Sequence, residues 1–385
     1  MIASITKAFL PAPVMNGPDP LRDAYALAEA IASRDLNNLY LTSRFFADPA
    51  RYRSFCAYYA VMRRVDDRVD ELCARSGVPA AEREGVGAEV GSWRRAIAAV
   101  GAGVAAEAAG RELAGLADAA SARALLLACE DAHRRFRIPP VLWRNFFAAM
   151  DRDLEDRRFE SYDEFLEYAE GATVAPTTIY LLLLTSTPAE SPFEGRSALP
   201  VPAPKEAGAP RYEAREGFDA VECGRHLGLF AYLTHILRDL PQDLAAGERG
   251  LLYLAADDMA RFGVTEEALR RDLARGEASP GVRGLLAELG ARARGHLERG
   301  RALLGGLHGV LPRDCAFILT LIVAIYEEAL ERIEAHGYDP FPERHRLGFR
   351  DKRRVIVRTA EEVGFSLGAA AGDLIAAARR RASPG

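Results

Sequence analysis

The sequence predicts an all-α protein, and three observations carry that expectation. Apolar residues recur at helical spacing through most of the 385 residues. Runs that alternate apolar and polar residues are scarce, and no βαβ rhythm is present. The hydrophobic fraction, 49%, is ample for a large core.

The periodicity places helices, in chain order, over Leu21–Ser33, Ala50–Leu72, Gly91–Val100, Ala105–Asp118, Ser121–Phe136, Pro140–Arg157 and Tyr162–Thr185. It continues over Gly217–Ala245, Ala255–Phe262, Thr265–Arg275, Gly281–Leu304, Arg313–Ala335 and Lys352–Arg381. Ser161 with Glu164 has the spacing of a capping box, and Pro140 and Pro312 suit a first helical turn. Pro176 and Pro241 lie inside predicted helices and predict a bend or a tightened turn at each. Two stretches break the pattern. Arg75–Gly91 is rich in Gly, Ala and charge, and the stretch at about 187–216 carries Pro188, Pro192, Pro200, Pro202, Pro204 and Pro210. The second reads as a long loop or lid rather than a domain linker, because matching motifs lie on either side of it. The expected organisation is an N-terminal extension over residues 1–20 and one helical domain over residues 21–385.

Composition narrows the function classes. The net charge is −5, with no long basic tract, which argues against nucleic acid as a partner. Five cysteines without a CxxC read as reduced thiols in a cytoplasm. Met1 to Val14 lacks the charged and apolar regions of a signal peptide. No run approaches the roughly 18 apolar residues of a membrane span.

Two aspartate clusters carry the chemistry. In the first, Tyr59, Arg63, Asp66, Asp67 and Asp70 share one helical face opposite Phe55, Tyr58, Met62, Val65 and Val69. In the second, His235, Arg238, Asp239, Gln242 and Asp243 lie opposite Leu233, Ile236, Leu240 and Leu244. An ordinary amphipathic helix shows the same division. The composition of these stripes is less ordinary, because Asp is a poor helix former and stacked like charges repel by a few tenths of a kcal/mol. Short carboxylates with arginine beside them suit a rigid divalent cation, with oxygens at about 2.1 Å, and a phosphorylated ligand. His235 has several readings: metal ligand, phosphate donor, general acid or satisfied polar residue. Direct ligation of Mg²⁺ is the weakest of the functional ones, since Mg²⁺ prefers oxygen. A third stretch, Tyr168 to Pro176, is rich in small residues and fits a close ligand or close helix packing equally well. No GxxxxGK[ST], GxGxxG, GxSxG or HExxH pattern occurs.

At these residues the chain resembles the squalene/phytoene synthase family of head-to-head prenyl synthases. Tyr59, Arg63, Asp66, Asp67 and Asp70 match its first signature, Tyr-x-x-x-Arg-x-x-Asp-Asp-x-x-Asp. Leu233-Thr234-His235-Ile236-Leu237-Arg238-Asp239, then Asp243, is similar to its second, with His235 in place of an asparagine and Tyr232 in place of a glutamine. Ser43-Arg44-Phe45-Phe46, Leu252 to Asp258, Tyr326 and the stretch from Gly337 to Lys352 resemble further segments, and Tyr168 to Val174 is an altered one. The resemblance covers roughly Asp35 to Val357.

The resemblance implies a single isoprenoid-synthase-like helical bundle around a central cavity. Asp66, Asp67 and Asp70 would face Asp239 and Asp243 and hold two or three Mg²⁺. Tyr59, Arg63, Tyr168 and Arg238 would be catalytic. Ser43, Phe46, Arg63, Val174, Tyr232, His235, Arg238 and Tyr326 would contact substrate. The implied reaction joins two farnesyl diphosphates through presqualene diphosphate to squalene, which needs NADPH, or to dehydrosqualene. Phytoene formation from geranylgeranyl diphosphate is the nearest rival. A single-substrate terpene cyclase and a non-catalytic prenyl-binding protein are the others. A cytoplasmic monomer, with peripheral membrane contact for product release, completes the expectation.

Overall fold

The computed structural model describes residues 19–34, 37–73, 75, 77–155, 158–189, 210–246, 252–342 and 345–367. Nearly all of the predicted N-terminal extension, most of the proline-rich stretch and the last residues lie outside these. Helices dominate: α1 Pro20–Ser33, α2 Asn38–Ser43, α3 Pro49–Cys73, α4 Ala80–Gly101, α5 Ala106–Ala109, α6 Ala119–Arg135, α7 Pro140–Glu155 and α8 Tyr162–Ala169. They continue with α9 Ala175–Thr185, α10 Ala220–Leu244, α11 Ala256–Arg261, α12 Glu266–Arg275, α13 Pro280–Leu304, α14 Arg313–Ala335 and α15 Phe349–Val363. Among the described residues the only sheet is a two-residue antiparallel pair, Thr187–Pro188 with Tyr212–Glu213, at the two ends of the proline-rich stretch.

Several boundaries differ from the periodicity, each for a local reason. The stretch Arg75–Gly91, predicted as a break, supplies the first half of α4. Val86, Val90, Trp93, Ile97 and Val100 are all buried at helical spacing, and the intervening glycines hide that stripe. The helix expected over Ala105–Asp118 is only α5 and a 3₁₀ turn over Gly110–Leu113, since few residues there have a core to reach. α15 stops at Val363, where Gly364 takes a left-handed φ of 63° and closes the helix; beyond residue 367 the helix predicted to Arg381 lies outside the described residues.

The helix predicted over Tyr162–Thr185 is continuous but contains a π turn at Glu170–Val174. The Ala175 N–H donates to the Glu170 carbonyl. Pro176 has no N–H to continue the ladder, so the chain takes up the slack in one wider turn just before it. Ser161 caps this helix by accepting from the Glu164 N–H at 3.2 Å. The Glu164 carboxylate turns instead to the Glu160 N–H, at 3.1 Å, and to Arg152.

α10 packs against α13, α9 and α14, and α3 packs against α1 and α6. Close approaches depend on small residues: a Cβ on Gly224 would fall 2.1 Å from the Thr178 hydroxyl, and one on Gly300 2.6 Å from Leu227. Arg51 is buried and fully committed, donating to the Leu183 carbonyl and, at 2.7 Å, to that of Ser186, with Asp48 at 3.4 Å. A buried cation is tolerable only when paired in this way, and this one fastens α3 to the end of α9. No helix among the described residues is long and apolar enough to cross a membrane.

Candidate active site

A cavity of about 790 Å³ lies between α3, α7, α8–α9, α10 and α14. The two aspartate motifs meet on it. Asp66 and Asp70 arrive from α3, and Asp239 and Asp243 from α10. Each pair is one helical turn apart, so both carboxylates of a pair point the same way. Tyr59, Arg63, Tyr168, Tyr232, His235, Arg238 and Tyr326 also line it, as the sequence leads one to expect.

Four expected residues stand off the wall. Asp67 is turned about its helix away from the cavity and pairs with Arg63 and, at 3.5 Å, with Arg34. Ser43 is buried and donates to the Tyr40 carbonyl at 2.7 Å. Phe46 packs edge-on to Tyr180, with ring centres 6.2 Å apart, and Val174 is buried in the π turn. None of the four is among the residues that line the cavity.

The two carboxylate sets differ electrically. Asp239 is surrounded by donors: His235 Nε2 at 2.7 Å, Arg238 at 2.7 and 3.0 Å, and Arg346 at 3.3 Å. Burial pushes its carboxyl up, but the bonds from His235 and Arg238 win and hold it well below the ordinary range. Asp243, one turn on, has no ion pair among the described residues. Burial, together with the charge of Asp239, pushes it up to about 6. Asp70 is likewise raised well above the ordinary value by burial and by Asp66. Arg63 is shared between Asp66, at 3.2 Å, and Asp67.

Among the described residues, no three acidic, histidine or cysteine side chains converge tightly enough to hold a cation unaided. Mg²⁺ keeps several waters and commonly binds through one or two carboxylates plus substrate phosphates. The raised carboxylates of Asp70 and Asp243, one from α3 and one from α10, are the donor set such an ion would use.

The motifs miss part of the wall. Asp153 lines the cavity from α7, at helical spacing after Phe146 and Met150. A carboxylate on an otherwise apolar stripe was the signal that could have found it. Asn37 and Asn38 line it too, as do Tyr253, Arg346 and Lys352 from the family-like segments Leu252–Asp258 and Gly337–Lys352. Asn37 donates to the Tyr59 hydroxyl, and Lys352 to Asn38 at 3.0 Å. Most of the rest is apolar, with Phe55, Leu181, Leu184, Phe230 and Ile322 among its members, although Thr173, Thr177 and Gln242 also line it.

Two motif-bearing helices opposed across one cavity are matched by the comparison with known families. The family model for squalene/phytoene synthase matches residues 34–359. The chain belongs to the squalene/phytoene synthase family. It is therefore a prenyltransferase of isoprenoid biosynthesis, of the head-to-head type. A 15-cis-phytoene synthase of Synechocystis is 24% identical over 336 residues, which is 87% of this chain and 83% of that protein. A phytoene synthase of Arthrospira platensis is 25% identical over 86% of this chain and 91% of its own length. The fold matches a crystal structure of a dehydrosqualene synthase with a TM-score of 0.62, covering 90% of this chain and 99% of that one at 18% identity. A squalene synthase of Alicyclobacillus acidocaldarius matches with a TM-score of 0.57 at 18% identity, over 84% of this chain and 98% of that one.

Proposed function

We propose that this prenyltransferase joins two prenyl diphosphates head to head in a Mg²⁺-dependent reaction. The observation that carries the reading is the pair Asp66/Asp70 opposed to Asp239/Asp243 on one largely apolar cavity. Asp66, Asp70, Asp239 and Asp243 are the residues that would hold Mg²⁺, which when bound neutralises charge on the departing diphosphate. Asp67 acts from behind, by holding Arg63 toward the site. Arg63, Arg238, Arg346 and Lys352 supply donors for diphosphate oxygens. The apolar wall keeps water from the cation formed when diphosphate leaves.

Farnesyl and geranylgeranyl diphosphate both suit this chemistry. Farnesyl leads to presqualene diphosphate and then to squalene, with NADPH, or to dehydrosqualene. The names of the relatives matched over most of the chain favour geranylgeranyl diphosphate and phytoene as the second reading. The deciding experiment incubates the purified chain with Mg²⁺ and each diphosphate, with and without NADPH, and identifies the lipid. The expected result is a product of twice the donor's carbon number. A hydrocarbon of one donor's length, or no diphosphate release from either substrate, would overturn the reading.

A further inference from the structure

Asp153 belongs to neither aspartate motif, yet it faces the same cavity from α7. The Tyr168 hydroxyl donates to its Oδ2 at 3.2 Å. The Tyr168 ring lies 6.3 Å from that of Tyr253 and 6.5 Å from that of Tyr232, and those two are 6.0 Å apart. All three rings line the cavity. The Asp153 carbonyl accepts from the Cys73 thiol at 3.4 Å, which fixes the backbone here against α3. Among the described residues no arginine or lysine pairs with the Asp153 carboxylate. Arg152, its chain neighbour, is spent on Glu164, Glu155 and the Arg158 carbonyl.

A carboxylate facing an apolar cavity without a counter-ion is expensive, and such groups are kept where they act as bases or ligands. Burial pushes this carboxyl up to about 7, against the Tyr168 bond and with help from Asp66. A proton acceptor working near neutrality has that basicity. The three aromatic faces beside it attract positive charge.

The inference rests on the head-to-head reading. Once the second diphosphate has left, that reaction holds a carbocation on the joined chain. The cation is discharged by hydride from a reductant or by loss of a neighbouring proton. We propose that Asp153 ends the reaction by the second route, as the final proton acceptor working through Tyr168. The C–H bond next to the cationic carbon breaks, its electron pair becomes the new C=C bond, and the proton goes to the Tyr168 oxygen. The Tyr168 hydroxyl passes its own proton to Asp153, which later returns it to solvent. No reductant enters, so the product keeps a double bond at the joint and NADPH is not consumed.

Asp153→Asn and Tyr168→Phe, assayed with Mg²⁺ and farnesyl or geranylgeranyl diphosphate, test this. The readout is the ratio of coupled alkene to cyclopropyl diphosphate intermediate and water-quenched alcohol. That ratio should fall about a hundredfold in each variant, the size of a typical acid–base contribution. In wild type the ratio should drop as pH falls below about 7, and in Asp153→Asn it should lose that dependence. An unchanged ratio in a folded Asp153→Asn, or in Tyr168→Phe should the first variant not fold, overturns the assignment and leaves the synthase reading standing. A wild type that makes only reduced product, and only with NADPH, also overturns it. A wild type that releases no diphosphate overturns the synthase reading and this assignment with it.

Discussion

His235 Nε2 stands 2.7 Å from Asp239 Oδ2, one turn along the same helix. Burial keeps the imidazole on the neutral side of its ordinary range, although Asp239 pulls the other way. The ring therefore donates one hydrogen bond and leaves Asp239 oriented toward the cavity. In the proposed role of Asp239 as a Mg²⁺ ligand, this is how an outer group would steady the carboxylate. His235→Ala should weaken binding of Mg²⁺ with inorganic diphosphate by about tenfold to a hundredfold, read by calorimetry. Binding unchanged from wild type would show that Arg238 and Arg346 orient Asp239 alone.

Asp243 gives a two-part signature. Its carboxyl sits at about 6 against an ordinary 3.8, so ionising it costs the folded state more than the unfolded one. The native state binds more protons between those values, and stability is lost as pH rises through them and stays lost above about 6. Asp243→Asn should therefore stabilise the metal-free protein by about 2 kcal/mol at pH 7.5. The same change should abolish most of the rise in melting temperature that Mg²⁺ plus diphosphate gives wild type. A variant that is less stable without metal, or that keeps the full ligand-induced rise, contradicts this role.

The motif helices were legible because their chemistry and their periodicity coincide. Asp66, Asp70, Asp239 and Asp243 can be placed on one face from spacing alone, and the structure brings both faces to one cavity. What spacing cannot report is rotation relative to a neighbour. Asp66 and Asp67 are adjacent in the motif, but only the first lines the wall, because neighbours on a helix point about 100° apart. Ser43, Phe46 and Val174 occupy motif segments yet support the wall from behind, a distinction decided by packing depth. Asp153 comes from a helix without a motif and reaches the site only through tertiary packing, while Tyr253 and Arg346 lie in family-like segments whose approach to the cavity spacing cannot report. α4 was hidden for the opposite reason: its glycines masked a regular buried stripe.

α10 and α13 share a contact between two histidines. The Nδ1 atoms of His226 and His296 are 2.9 Å apart, so one must donate and the other accept. Glu222 lies 3.3 Å from His226 Nε2, and Arg225 is itself bound to Glu222. His296 sits at about 4, lowered by burial and then by His226 and Arg299, against an ordinary 6.5. The unfolded chain takes up this proton before the native state does. The stability is fully present above pH 6.5 and is lost as pH falls toward 4. The full shift corresponds to about 3 kcal/mol, which partial solvent exposure reduces to about 1–2 kcal/mol. Between pH 7.5 and 5, wild type should lose about 1 kcal/mol more than His296→Gln in urea unfolding. Equal losses would place the acid sensitivity elsewhere.

Gly171 fixes how the π turn meets α7. A Cβ there would lie 2.0 Å from the Asn145 carbonyl oxygen and 2.7 Å from the Ala149 Cβ, and backbone cannot step aside as a flexible side chain can. Gly171→Ala must therefore push the turn off α7, at a cost of about 1–3 kcal/mol for overpacking. The consequence reaches the chemistry, because the turn is continuous with the helix that carries Tyr168, and α7 carries Asp153. A displacement of a few tenths of an ångström lengthens the 3.2 Å bond between them. Thermal melts should show the destabilisation. Product analysis should show more intermediate and alcohol at the expense of alkene, while Mg²⁺–diphosphate affinity, which the proposed function assigns to α3 and α10, should stay near wild type. Full stability in Gly171→Ala would mean that the close contact relaxes cheaply. Loss of stability with an unchanged product ratio would mean that Tyr168 and Asp153 keep their contact independently of the turn.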